Sequence, residues 1–191
     1  MRYFLTVLFI SVLTACKPAA EVNQFIATDI TGADFAHTLS LTDHTGKPRT
    51  LEDFKGKAVV LFFGYTHCPD VCPTTMIDLK QTMKLLGPRA DELQVLFVTL
   101  DPERDTQAVL AQFVPSFDKR FIGLRGNEQE TAMATSTFKI YAKKVDAQGK
   151  GGYTVDHSAG MYIFDKAGKI RLYIDYGQKP VDIANDIKQI L

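Results

Sequence analysis

An α/β fold built around a pair of parallel strands is predicted from two observations. The first is a pair of continuous apolar runs, Ala58–Phe63 (AVVLFF) and Gln94–Leu100 (QVLFVTL). Both are rich in β-branched and aromatic residues, as suits strands buried on both faces. The second is the helical period between them. Met76, Leu79, Met83 and Leu86 recur at spacings of three and four, and Gly87-Pro88 stops the run. Strand, helix, strand at this spacing is a βαβ unit, which implies parallel strands and a right-handed crossover. Length and composition agree. The chain has 191 residues, 46% apolar and 23% charged, which suits one domain with a sizeable core. That balance excludes disordered, collagen-like and disulfide-scaffold classes. Basic and acidic residues number 22 each, and no basic run is present, so nucleic acid is not an expected partner.

From the N-terminus, Arg2 precedes an apolar stretch from Tyr3 to Ala15, broken only by Thr6, Ser11 and Thr14. A membrane-spanning helix needs about 20 apolar residues, so this stretch reads as the hydrophobic region of a secretory signal covering residues 1–15. Its end, Leu13-Thr14-Ala15-Cys16, resembles the lipobox of bacterial lipoproteins. That resemblance implies cleavage before Cys16, lipid on its sulfur, and a domain held to a membrane of the bacterial envelope outside the cytoplasm. Residues 16–36 are expected to form the tether, and residues 37–191 the domain.

Within the domain, Leu39–Thr42 alternates and turns at Asp43–Gly46, an outer strand and turn. Leu51–Phe54 reads as a short turn before the first buried strand. After the βαβ unit a helix is expected at about 106–117, with Val109, Leu110, Phe113 and Val114 inward. A short strand is expected at Phe121–Leu124, and a third helix at about 127–139. Met161–Phe164 and Ile170–Ile174 flank Asp165-Lys166-Ala167-Gly168 as a β-hairpin. Pro180 opens a C-terminal helix with Ile183, Ile187 and Ile190 on one face. This order predicts a thioredoxin-like fold with an N-terminal β-hairpin extension.

The chain has three cysteines, an odd number for an oxidising compartment. Assigning Cys16 to the anchor leaves Cys68 and Cys72. They lie in Cys68-Pro69-Asp70-Val71-Cys72, just past the first buried strand, and active sites of open α/β sheets gather at such strand ends. A helix is expected to begin inside the motif, with Asp70 as N-cap and Pro73 in the first turn. The helix dipole is then expected to lower the Cys72 pKa. Residues four apart on a helix have Cβ atoms about 5–6 Å apart. A disulfide wants about 3.5–4.5 Å, and a metal with bonds of about 2.3 Å holds two thiolates roughly 4 Å apart. Cys68, in the loop, can adjust, so the pair can close as a disulfide or clamp one metal ion.

Two thiolates leave a metal site open. Of the four histidines, His37 and His44 are expected at the surface, and His67 is poorly placed beside Cys68. His157, in the loop expected before the strand at 161, is the candidate third ligand. Asp156 is a candidate to orient its ring or to face solvent. Asp101–Asp105 reads as a turn in which Asp105 caps the next helix, or as added charge near the site. No G-x-S-x-G or Walker A motif is present. Gly149–Gly152 does not join strand to helix and is no dinucleotide turn.

The sequence resembles the Sco/SenC family of copper proteins from about residue 32 to the C-terminus. The resemblance rests on Phe63-Gly-Tyr-Thr-His-Cys-Pro-Asp-Val-Cys-Pro73, Asp101-Pro-Glu-Arg-Asp-Thr106, Val155-Asp-His-Ser158 and Tyr176-Gly-Gln178, in that order. It implies a thioredoxin-like fold that binds one copper ion, Cu(I) or Cu(II), through Cys68, Cys72 and His157. It also implies assembly of the binuclear copper centre of cytochrome c oxidase, with the copper-centre subunit as partner. An upstream copper donor and a thioredoxin-like reductant are further implied partners. Two other readings stay open: a thiol-disulfide oxidoreductase using Cys68 and Cys72, and a zinc site, since Cys₂His also suits zinc.

Overall fold

The computed structural model describes residues 24–146 and 152–191. The expected signal segment 1–15 and Cys16 lie outside the described residues. In chain order the strands and α-helices are β1 (Thr28–Asp29), β2 (Ser40–Asp43), β3 (Pro48–Thr50), β4 (Ala58–Gly64), α1 (Val71–Leu86), β5 (Leu93–Thr99), α2 (Gln107–Phe117), β6 (Ile122–Arg125), α3 (Glu128–Thr137), β7 (Ala142–Asp146), β8 (Tyr153–His157), β9 (Met161–Phe164), β10 (Ile170–Ile174) and α4 (Pro180–Lys188). Short 3₁₀ turns at Leu51–Phe54 and Gly87–Glu92 lead into β4 and β5.

Eight strands form one sheet in the order β1-β10-β9-β4-β5-β6-β2-β3. The parallel pairing β4–β5–β6 is the predicted βαβ core, and β9 lies antiparallel on the other flank of β4. Every residue of β4 and of β5 is buried. Their apolar runs do not alternate because neither face meets water. All four period-setting residues of α1, Met76, Leu79, Met83 and Leu86, are buried. The β2–β3 hairpin joins the sheet edge through β6. The fold is therefore α/β and thioredoxin-like, with the expected N-terminal hairpin.

Two segments differ from expectation. Residues 24–36, assigned to the tether, pack on the domain. The Ile26 and Ala27 N–H groups each donate to the buried Asp186 carboxylate at 2.9 Å, and β1 pairs with β10. Gln178 Nε2 donates to the same carboxylate at 3.0 Å. A two-residue strand carries no period, and its anchor lies on the last helix, so the sequence offered no local signal. The second segment is Tyr153–His157, expected as a loop. It is β8, paired antiparallel with β7 in a two-stranded ribbon separate from the main sheet. β7 has no buried residue, and of β8 only Val155 is buried, so the ribbon lacks the apolar alternation that marks a strand.

The β2–β3 turn is organised by Asp43, which is buried. Its carboxylate accepts from Thr45 Oγ1 at 2.6 Å, Thr45 N–H at 2.8 Å, Lys47 N–H at 3.1 Å and Arg49 Nε at 2.8 Å. Burial alone would raise this carboxyl, but those hydrogen bonds outweigh it and hold the pKa well below the usual range. A depressed pKa contributes stability that is complete above the unfolded value, about 3.9, and is lost as pH falls toward the folded value. We expect Asp43→Asn to cost about 2 kcal/mol at pH 6. Urea melts should show the gap to wild type narrowing below about pH 3.9. A gap that did not change with pH would contradict this account.

Candidate metal centre

The Cys68–Cys72 motif starts where β4 ends. Gly64 closes the strand, residues 65–70 form the loop, and α1 begins at Val71. Asp70 occupies the N-cap position, but its side chain accepts no backbone N–H of the first turn. The Cys68 sulfur takes that part, accepting the Cys72 N–H at 3.4 Å. The positive end of the helix thus falls on the half-buried Cys68. Cys72 is fully buried and points into the core. Its sulfur packs over Gly64, where an added Cβ would lie 2.8 Å from Cys72 Sγ and 3.0 Å from the Phe97 ring.

This overturns one expectation. Cys72 was expected to have a lowered pKa, but burial pushes its thiol up, against an opposing hydrogen bond from the Tyr65 backbone, and the Cys68 and Asp105 charges add to the rise. Desolvation of a side chain aimed inward outweighs the dipole of the helix that carries it.

His157 ends β8 and brings its Nε2 to 3.6 Å from Cys72 Sγ. Its Nδ1 lies 2.8 Å from the Ser158 carbonyl oxygen, which can only accept, so Nδ1 carries the proton and Nε2 presents its lone pair. Burial lowers the His157 pKa, against the Ser158 hydrogen bond and the Asp156 charge, and so favours the neutral ring. The Tyr65 ring packs edge-on against the imidazole, 5.9 Å between centroids. One ligand atom from each of Cys68, Cys72 and His157 lies within 4.8 Å of the others. Ligands bonded to one ion at about 2.0–2.3 Å lie roughly 3.5–4 Å apart. The three side chains can therefore hold a single metal ion after small rotations. Both cysteines are free thiols.

The other candidates fall elsewhere. His37 is exposed beside Asp34, and His44 Nδ1 accepts the Gly123 N–H at 3.0 Å. His67 is turned toward Asp105, with Nδ1 at 3.6 Å from its carboxylate. Asp156 is exposed and opposite Lys143 in the β7–β8 register, because strand alternation points it away from His157. Asp105 does not cap α2. Thr106 does, accepting from Val109 N–H at 3.3 Å, while Asp105 is buried and bonded to Thr66 and Thr99. A cleft of about 400 Å³ opens beside the three ligands, lined by Tyr65, Cys68, Pro69, Asp70, Val155 and His157 among others. A larger hollow of about 740 Å³, between Thr31–His37 and the β9–β10 turn, shares no residue with them.

Residues 27–191 match the family model described as SCO1/SenC. The chain belongs to the SCO1/SenC family. It is 41% identical over 138 residues to the mitochondrial SCO2 homolog of Danio rerio, covering 71% of this chain and 48% of that protein. It is 32% identical over 183 residues to an SCO2-like protein of Rickettsia felis, covering 95% and 87%. The chain thus spans about half the length of the Danio rerio relative and 57% of the bovine SCO2 homolog. Among solved structures it is similar to copper-bound ScoI of Bradyrhizobium japonicum, with TM-score 0.74 and 39% identity over 81% of this chain and 98% of that one. Apo Sco1 of Thermus thermophilus gives TM-score 0.78 and 32% identity, over 90% and 99%.

Of the surroundings of this candidate site, several parts were not legible as functional. Gly64 lies within the Phe63–Pro73 motif, but its role as the floor beneath Cys72 needs the tertiary contact. Tyr65 stands in the same motif, but its packing against His157 is a tertiary contact, and Tyr153 carries no local signal, although the Asp101–Thr106 motif pointed to the loop that holds it. In the reduced protein we expect iodoacetamide to modify Cys68 well before Cys72, because Cys68 is partly exposed and Cys72 is not. Peptide mass mapping checks the order, and equal rates would contradict it. Gly64→Ala should overpack the strand end and cost about 1–3 kcal/mol in a thermal or urea melt.

Proposed function

We propose that this chain is a copper metallochaperone that serves the binuclear copper centre of cytochrome c oxidase. The observation that carries the reading is the convergence of Cys68 Sγ, Cys72 Sγ and His157 Nε2 within 4.8 Å at one end of the sheet. The donor set fits the cargo. Thiolates are soft ligands that favour Cu(I), and imidazole suits copper as well. Three protein ligands beside an open cleft leave room for an incoming thiolate or imidazole of the recipient, so copper passes by ligand exchange. The recipient is the copper-centre subunit, and an upstream donor supplies the ion. Oxidation of Cys68 and Cys72 to a disulfide removes both thiolates, so loading depends on a thioredoxin-like reductant. About 30 mV in the dithiol potential is worth roughly 1.4 kcal/mol. The Leu13–Cys16 segment supports an envelope location with a lipid anchor on Cys16, and among the described residues no helix is long and apolar enough to cross a membrane.

A specific observation favours a second reading, a thiol-disulfide reductase of copper-site proteins. Cys68 is accessible and faces the helix N-terminus, while Cys72 sits buried behind it. A Cys68 thiolate would attack a partner disulfide, forming a mixed disulfide and releasing one partner thiolate. Cys72 would then lose its proton and displace the second, leaving a Cys68–Cys72 disulfide and a partner dithiol.

Titration of the reduced chain with Cu(I) in a chelator competition should give one ion per chain. His157→Ala and Cys72→Ala should each lower affinity by more than the roughly 10–100-fold that an outer-sphere change costs. Unchanged affinity in both variants would sink the copper reading. Retained disulfide exchange in His157→Ala, with copper binding lost, would show that the two activities are separable.

A further inference from the structure

The residues that would hold the metal arrive from two supports that the main sheet ties together at β9, whose Met161, four residues beyond His157, lies opposite Phe62 of β4. Cys68 and Cys72 follow β4 of the main sheet, whereas His157, 85 residues beyond Cys72, ends a strand of the separate ribbon. Among the described residues no strand ladder joins the β7–β8 ribbon itself to the main sheet. Between them runs the Leu100–Thr106 loop after β5, which carries two fully buried carboxylates.

One carboxylate grips the cysteine side. Asp105 Oδ2 accepts the Thr66 N–H at 2.9 Å and the Thr99 hydroxyl at 2.6 Å, and Oδ1 accepts the Thr66 hydroxyl at 2.5 Å. Thr66 stands two residues before Cys68. The other carboxylate grips the histidine side. Asp101 Oδ1 accepts the Tyr153 phenol at 2.7 Å, and Oδ2 accepts Arg104 Nε. Arg104 Nη1 donates in turn to the Tyr153 carbonyl at 2.9 Å, and its guanidinium lies 3.7 Å from the centre of the Tyr153 ring. Tyr153 opens the strand that His157 closes.

We propose that Asp101 and Asp105 are positioning residues, and that this loop sets the distance between the His157 imidazole and the two thiols. A carboxyl group out of contact with water must keep its hydrogen-bond partners. Each therefore holds its segment at a definite place relative to β5, and through β5 relative to the other. The inference rests on the copper reading only for what the site holds. It goes beyond it in assigning the geometry to buried residues that are not among the three ligands and do not line the cleft beside them.

The test uses the full reduced chain with gentle variants on each arm. Tyr153→Phe and Asp101→Asn release the histidine side. Thr66→Val and Asp105→Asn release the cysteine side, and Thr66→Ser keeps both donors. Four quantities are read: Cu(I) affinity, the thiolate-to-Cu(II) charge-transfer band, the NMR shifts of the copper-free His157 ring, and the reduction potential of the Cys68–Cys72 pair. A thermal melt confirms that each variant is folded.

The histidine-arm variants should weaken Cu(I) binding about tenfold or more. They should also shift the charge-transfer band and the His157 ring signals, and leave the dithiol potential at its wild-type value. The cysteine-arm variants should move the potential and the band while the copper-free ring signals stay in place, and Thr66→Ser should match wild type throughout. Folded Tyr153→Phe and Thr66→Val proteins with wild-type values in all four would overturn the proposal. So would both arms moving every readout alike, which marks general loosening. A wild-type chain that fails to bind Cu(I) defeats the copper reading instead, and the ring shifts and the potential still decide the positioning.

Discussion

A carboxylate removed from water is costly unless donors meet it, and this chain buries several aspartates under that constraint. Asp43, Asp101, Asp105 and Asp186 are all buried. No side chain among them takes part in the strand ladders, although Asp43 itself stands in β2 opposite Leu124 of β6. Each instead holds a segment that the sheet pairs weakly or not at all. Asp186 takes the N-terminal arm, Asp43 the β2–β3 turn, Asp105 the loop before Cys68, and Asp101 the ribbon that carries His157. The buried strands β4 and β5 supply a rigid frame whose hydrophobic burial is not directional. The aspartates supply direction, because a hydrogen bond is lost steeply with angle and distance. The candidate site sits where two of these grips share one loop.

The two cysteines of the site are unequal for physical reasons that follow from the same frame. Cys72 points from the first turn of α1 into the core, against the bare backbone of Gly64, and desolvation keeps its proton on. Cys68 lies in the loop, is partly exposed, and receives a backbone N–H from the helix it precedes. One geometry therefore suits two chemistries. Bound to a soft metal, both sulfurs act together with the His157 nitrogen. Without metal, an accessible sulfur backed by a buried one would suit the exchange with a disulfide proposed as the second reading.

Much of this was written locally in the chain. The apolar runs at 58–63 and 94–100, the three-and-four spacing through α1 and the Asp165–Gly168 turn each report a period or a turn that a few residues fix by themselves. Of the main sheet, β1 was not foreseen and β3 only as the unplaced partner of the N-terminal hairpin; the other strands were foreseen on that basis. The Cys-x-x-x-Cys spacing likewise marked a strand-to-helix site, and the choice of His157 among four histidines followed from its place before β9 and from the family resemblance. The ribbon was not legible, because β7 and most of β8 are exposed and a strand without a buried face shows no alternation.

By itself, then, the sequence determined the fold class, the order of the central elements and the three side chains that converge. Only the tertiary structure decided how they stand. It placed the helix end on Cys68 instead of Cys72, raised the Cys72 pKa that the dipole was expected to lower, turned Asp156 away from the ring, and gave Asp105 to Thr66 instead of α2. The reason is the same in each case. Periodicity and spacing report interactions among near neighbours in the chain. Burial and hydrogen-bond direction depend on groups brought together from distant parts of it, such as Tyr153 and Asp101, or Cys72 and His157.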